Sequence, residues 1–217
     1  MARTVRVRHR RYPRLRPGVA VLLILSLAAF VATTTSAARA PLQVTLVGDS
    51  VAASIAYVPA AQAQLRHGMR VRLDARVCRR LVQPSCSFEG STPTTALQAV
   101  QGRGRSLGHV LIVNVGYNES ADGYGAGIDR VMRAALAQGA IGVVWVTLRE
   151  TRRIYHSTND AIETATERWP RLVVADWNAY SSGRPWFGHD GLHLTDRGAG
   201  ALASFLRPYV WKAAEAR

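Results

Sequence analysis

Residues 45–54 read Thr45-Leu46-Val47-Gly48-Asp49-Ser50-Val51-Ala52-Ala53-Ser54. An apolar run stops at Gly48, two small polar residues follow, and an Ala-rich helical pattern begins. The run 44–47 has the composition of a buried strand, and 51–65 that of a helix. Ser50 at this junction has two readings. It can cap the helix by accepting a backbone N–H, or it can be a nucleophile at the mouth of a sheet. The hydroxyl alone does not choose between them. A nucleophilic serine needs a base, an acid that orients the base, and oxyanion donors from elsewhere in the chain.

Working outward, short β-type runs alternate with helical patterns. Residues 71–77 alternate as a second strand, and 78–93, with Pro, Ser, Gly and both cysteines, read as a structured loop. Residues 94–100 form a short helix, and 102–108 an Arg/Gly turn too irregular for a phosphate loop. The third strand, 110–115, is apolar except for Asn114, as a buried parallel strand should be. An amphipathic helix at 128–138 places Ile128, Val131, Met132 and Leu136 on one stripe. The fourth strand is 141–148, with Trp145 in the core. A helix at 161–169 ends before Pro170, and the fifth strand is 172–175. The last helix is 195–214, with Thr195 as N-cap and Asp196 in its first turn. This rhythm predicts an α/β domain: one five-stranded parallel sheet with helices on both faces and right-handed crossovers. Ligands in such sheets bind beyond the carboxyl ends of the strands, so function should collect after Val47, Val77, Val115, Leu148 and Ala175.

The chain has 217 residues, is 48% hydrophobic and carries a formal charge of +14. That length and apolar content suit one domain with a real core. Half of the excess charge is local, because residues 1–16 hold seven arginines and no acid. The arginines of the remainder are scattered, with no basic stripe interleaved with aromatics and no nucleic-acid motif, so a nucleic-acid partner is not expected. The basic start, the apolar run 19–32 and the small residues up to Ala40 read as an export signal, with cleavage after Ala37. The competing reading is an uncleaved membrane anchor. The expected organisation is thus a signal peptide or anchor over 1–40 and the α/β domain over 41–217, outside the cytoplasm in either case. In an oxidising compartment the only two cysteines, Cys78 and Cys86, favour a disulfide over two buried thiols. So short a loop would contribute about 2–3 kcal/mol through the unfolded state.

Four predicted loops on one rim carry the parts for acyl transfer. Gly48-Asp49-Ser50 follows strand one, Cys78-Arg79-Arg80 strand two and Gly116-Tyr117-Asn118-Glu119 strand three. Asp190-Gly191-Leu192-His193 precedes the last helix. Three of these blocks resemble, in order and spacing, the motifs of the SGNH (GDSL-like) hydrolase family, over about residues 43–210. The resemblance implies a flavodoxin-like three-layer α/β/α sandwich and esterase or O-acyl transfer chemistry. It implies Ser50 as nucleophile, His193 as base and Asp190 as the partner of His193. The oxyanion hole would be Asn118 with the backbone N–H groups of Ser50 and Cys78. The second block departs from the family, which usually has Gly where Cys78 stands; the N–H donor survives that change, and a bridge to Cys86 could hold the loop. No metal or organic cofactor is implied. The implied substrate is a small-molecule, lipid or glycan ester, and the implied activity an exported serine esterase. An acyltransferase acting on envelope glycans and an inactive surface binding module are the alternatives.

Each residue also has a plainer reading. Asp49 reads as a loop residue bonding backbone. Asn118 could cap a helix, His193 could be an ordinary histidine, and His189 reads as a loop residue. Asp176, at the end of strand five, is a weaker rival for the acid. Tyr117 and Trp186 could wall an acyl pocket or simply pack. Arg79, Arg80, Arg152 and Arg153 read by default as solvated charge.

Overall fold

A computed structural model describes residues 40–120 and 123–216. The signal-or-anchor segment lies outside the described residues. Five strands, β1 (Leu42–Gly48), β2 (Met69–Ala75), β3 (Val110–Asn114), β4 (Gly142–Val146) and β5 (Leu172–Ala175), form one sheet in the order β2-β1-β3-β4-β5. Every pairing is parallel. Among the described residues seven α-helices flank them, the first five between strands and the last two after β5: α1 (Ser50–Tyr57), α2 (Pro59–Arg66), α3 (Ala96–Gln101), α4 (Tyr124–Ala137), α5 (Arg153–Thr164), α6 (Trp177–Ser181) and α7 (Asp196–Glu215). This is the three-layer α/β/α arrangement expected.

The period of two in the strands builds both cores at once. On β3, Val110 and Ile112 face a cluster with Ile55, Leu65, Leu202, Leu206 and Val210 from α1, α2 and α7. Leu111 and Val113 face the opposite cluster, with Val100, Ile128, Met132 and Ile162 from α3, α4 and α5. A strand buried on both faces has no polar side to show, which is why β3 and β4 are apolar throughout except for Asn114. The strand order reverses between β1 and β3. Loops leaving these two strands diverge to opposite sides, and the crevice between them is where ligands bind in this topology.

Several expected elements shift, each for a local reason. The helix expected over 51–65 breaks in two, because Pro59 pushes the residue before it out of the helical region; Val58 is extended at φ −113°, ψ 102°. Strand two occupies Met69–Ala75 and not 71–77, since β1 ends at Gly48, opposite Ala75, and offers Val77 no partner. α5 begins eight residues earlier than the expected 161, at Arg153. Its buried stripe is Tyr155, Thr158, Asn159 and Ile162, and two polar members conceal the helical period. Asn159 earns its burial: its amide accepts from the Leu148 N–H at 2.7 Å and donates to the Leu148 carbonyl at 2.8 Å, closing the end of β4. Thr195 caps α7 by accepting from the Gly198 N–H, as expected. α6 was not expected; Asp176 caps it through the Ala179 N–H at 3.0 Å.

Candidate active site

The turn from β1 into α1 is built around Gly48. A Cβ there would come within 2.3 Å of the Ala52 Cβ, so only glycine lets the helix start so close to the strand. Asp49 supplies the N-cap, its Oδ1 accepting from the Val51 N–H at 3.1 Å. Ser50 is therefore the first residue of α1 and not its cap. The second carboxylate oxygen of Asp49 accepts from the N–H groups of Gly116 and Tyr117, at 3.1 and 3.2 Å. Its own N–H donates to the Asn114 carbonyl at 3.0 Å. Asp49 thus binds the loop after β1 to the loop after β3.

Asp49 is completely buried. Burial pushes its carboxyl up from 3.8 to about 6, against the pull of the three backbone N–H bonds, and the nearby Glu119 charge adds to the rise. Between about pH 4 and 6 the folded chain therefore holds a proton that the unfolded chain has released. For this group stability falls as pH rises through that window. Asp49→Asn is expected to flatten the fall of the thermal midpoint over this range. It should also lower the midpoint throughout, because its NH2 would face N–H donors. Differential scanning calorimetry from pH 4 to 7 checks both; an unchanged slope would show that Asp49 does not titrate there.

The loop before α7 brings its imidazole to the start of α1. His193 Nε2 lies 3.0 Å from Ser50 Oγ, and His193 Nδ1 lies 2.6 Å from Asp190 Oδ2. The other oxygen of Asp190 accepts from the N–H groups of Leu192 and His193, at 2.9 and 3.0 Å. The bond to His193, then that to the Leu192 N–H, holds the Asp190 carboxyl well below the usual range. An ionised carboxylate can only accept, so Nδ1 carries the proton and Nε2 is left to accept from the serine hydroxyl. The arrangement can draw a proton from Ser50. It is open to solvent, with the side chains of His193 and Asp190 51% and 40% exposed.

Across the rim, the Asn118 amide donates to the Arg79 carbonyl at 3.2 Å through one of its two N–H bonds. Cys78 is bridged to Cys86 and has φ +65°, the left-handed region that favours glycine. A residue with a Cβ is held here at a backbone cost of about 1 kcal/mol or more. Among the described residues neither the Ser50 N–H nor the Cys78 N–H finds an acceptor.

Arg79 corrects an expectation. It is buried, not solvated: Nη2 pairs with Asp74 Oδ1 at 2.9 Å, Nε donates to the Thr94 carbonyl at 3.0 Å, and Nη1 donates to the Asp74 carbonyl. The guanidinium stitches the loop after β2 to the end of that strand, a task for a fork of five donors that nothing in the local sequence marks. Asp176 takes no part in the site, since its carboxylate accepts from Thr147 Oγ1 and the Ala179 N–H. Tyr117 is buried, packs edge-on against Tyr155 and accepts from the Arg149 N–H at 2.7 Å. Trp186 stacks on Trp177. Arg152, Arg153 and His189 are exposed. Arg149, which sequence reasoning passed over, reaches the Asp190–His193 loop; only the fold brings it there. Among the described residues no group of three His, Cys, Asp or Glu could hold a metal ion, and no helix is long and apolar enough to cross a membrane.

No protein-family model matches the sequence, and no curated protein matches it by sequence. Solved structures do match in shape. The esterase EstA from Pseudoalteromonas sp., in a form inhibited by monoethylphosphonate, superposes with a TM-score of 0.58 at 11% identity, over 78% of this chain and 96% of that one. A carbohydrate acetylesterase family member from Sinorhizobium meliloti gives 0.61 at 13% identity, over 80% and 99%. A family 2 carbohydrate esterase with a carbohydrate-binding domain, from Myceliophthora fergusii, gives 0.58 at 16% identity, over 79% of this chain and 66% of that one. With its five parallel strands in the order β2-β1-β3-β4-β5, the chain has the fold of the SGNH-type esterases.

Proposed function

We propose that this protein is an exported serine esterase of the SGNH type, acting on O-acyl esters through an acyl-enzyme. The observation that carries the reading is the relay Asp190–His193–Ser50: a local contact of 2.6 Å between Asp190 and His193, and one of 3.0 Å between His193 and Ser50, 143 positions apart. Ser50 Oγ attacks the ester carbonyl as His193 Nε2 takes its proton. The former carbonyl oxygen becomes an oxyanion, bound by the Asn118 amide and the N–H groups of Ser50 and Cys78. Collapse breaks the bond to the alcohol, which leaves with the proton from His193. Water then gives its proton to His193 and attacks the acyl-enzyme. A second collapse releases the carboxylic acid and returns the proton to Ser50. Asp190 stays ionised and stabilises the imidazolium at both steps.

The exposure of His193 and Asp190 suits an ester carried on a bulky alcohol such as a glycan, with a small acyl group. The structural neighbours, an esterase and carbohydrate esterases, support that class of substrate. The disulfide and the basic-apolar start of the chain support a site of action outside the cytoplasm. The test is hydrolysis of 4-nitrophenyl acetate together with acetate release from an acetylated polysaccharide. Turnover of neither would refute the esterase; acylated sugar as the main product would make the protein a transferase. Asn118→Ala is expected to lower kcat by about 10²–10³-fold with little change in KM, the loss typical of one oxyanion donor. An equal loss in KM alone would assign Asn118 to substrate binding.

A further inference from the structure

The loop that carries Asp190 and His193 packs on the core through Phe187 and Leu194 but makes few polar contacts with the rest of the molecule. Its internal order is good: Phe187 and Leu194 form an antiparallel bridge, and the Gly188 N–H donates to the His193 carbonyl at 2.8 Å. The Gly191 N–H donates to the Gly188 carbonyl at 3.0 Å. Asp190 closes the turn through the N–H groups of Leu192 and His193. These bonds make the loop a rigid piece, but all lie within it. They keep His193 paired with Asp190 and say nothing of where the pair stands relative to Ser50. Leu192 and Leu194 touch the small apolar cluster of Val51, Tyr117, Leu148 and Tyr155. Apolar contact of that kind sets distance but not direction.

Apart from the Ser50–His193 contact itself, one residue from another element grips the loop by polar contact. Arg149 lies just beyond β4, and its Nη1 donates to the carbonyl of Gly191, midway between Asp190 and His193. The same guanidinium lies over the Phe187 ring, 3.8 Å from its centroid. It therefore holds the loop at its tip and at its base. Gly191 has φ +68°, a conformation open to glycine, which turns its carbonyl to the arginine. Arg149 is itself fixed, its N–H donating to Tyr117 Oη at 2.7 Å, and the Tyr117 N–H is bound in turn by Asp49. A chain of contacts thus runs from the residue preceding Ser50, through the residue preceding Asn118, to the loop of His193. Among the described residues it is the one side-chain hydrogen bond from outside the loop to the backbone of residues 187–194.

We propose that Arg149 is a positioning residue, which sets the Asp190–His193 loop so that the imidazole meets the Ser50 hydroxyl. This rests on the serine-esterase reading above. Arg149 does not touch the reacting atoms; its effect passes through the direction of the loop. Without it the Asp190–His193 pair, being local, persists and swings as one body. A displacement of about 1 Å at the reacting atoms typically lowers the rate by about 10²-fold. Lysine could still donate to Gly191 but has no planar group to lay on Phe187, so it should restore only part of the loss.

The experiment compares wild type, Arg149→Ala, Arg149→Lys and Phe187→Leu on 4-nitrophenyl acetate, a substrate without charge on its acyl group. For Arg149→Ala the expected result is a fall in kcat of about 10²-fold with KM changed less than about 3-fold. Phosphonylation of Ser50 by a fluorophosphonate should slow in proportion. The downfield proton resonance of the His193–Asp190 pair should persist, which a general loss of structure would not allow. Arg149→Lys and Phe187→Leu should fall between wild type and Arg149→Ala. Wild-type kcat in Arg149→Ala, or a loss confined to KM, would overturn the proposal, as would disappearance of the paired proton resonance. A wild-type protein that neither turns over esters nor reacts with the fluorophosphonate would instead refute the esterase reading on which it stands.

Discussion

Ser50→Ala is expected to lower kcat for ester hydrolysis by about 10⁶-fold, the scale seen when a triad nucleophile is removed, and to leave the fold in place. The two halves of this expectation come from different contacts. Activity should depend on the hydroxyl, because among the described residues the side-chain partner of His193 Nε2 is Ser50 Oγ, at 3.0 Å. Stability does not depend on it, because the N-cap of α1 comes from Asp49. A capping serine would cost about 1 kcal/mol on replacement by alanine. Here the hydroxyl sits at a partly exposed position, and the thermal midpoint should move by less than about 2 °C. Initial rates on 4-nitrophenyl acetate, with calorimetry on the same samples, check both. A variant that keeps wild-type turnover, or that loses activity only by unfolding, would sink the nucleophile assignment. Covalent labelling gives an independent check: mass spectrometry after fluorophosphonate treatment should find the phosphonyl adduct on Ser50 in wild type and nowhere in the variant.

Arg79→Met is expected to cost about 3 kcal/mol of stability, the lower end of the range for breaking a buried ion pair from one side. That is a large part of the total for a domain of this kind. Methionine fills similar space but cannot pair with Asp74, and it leaves the carbonyls of Asp74 and Thr94 without their donor. The loss stays at the lower end because Arg103 still holds the other oxygen of Asp74, at 2.5 Å. Burial pushes the Asp74 carboxyl up, but the bond from Arg103 and the charge of Arg79 outweigh it and leave it below the usual range. Arg103 is partly exposed, and Arg103→Met should cost less than about 1 kcal/mol, since solvent screens that pair. Urea denaturation of both variants tests the contrast. Equal losses would show that the buried guanidinium has no special weight. Because the Arg79 carbonyl also accepts from Asn118, Arg79→Met should loosen the Asn118 side of the rim and, on the proposed mechanism, lower kcat as well.

Much of this molecule was legible in one dimension. Strands buried on both faces announce themselves as apolar runs, and 172–175 and the cap at Thr195 were read to the residue. Periodicity placed Ser50, Asn118, Asp190 and His193 in loops at strand ends or before a helix, and the resemblance to the SGNH motifs singled them out within those loops. What escaped shares one cause: side chains whose partners lie in other elements of the fold, where no local period marks them. Asn159 looks like a surface residue until Leu148 is seen to need a backbone partner. Arg79 looks like solvated charge until Asp74, Thr94 and the burial of all three are known. Arg149 looks like any arginine after a strand until the Gly191 carbonyl comes to meet it.

The sequence by itself determined the layered α/β fold, because hydrophobic period and strand-ending residues are local properties that burial merely ratifies. It also determined which side chains could do acyl chemistry. Only the tertiary structure decided that Asp49, and not Ser50, caps α1, that an unsuspected left-handed Cys78 stands at the rim, and which arginines are bound and which are free. Hydrogen-bond direction and burial are properties of pairs, and a pair 143 residues apart in the chain, as Ser50 and His193 are, exists only once the sheet has brought its loops together.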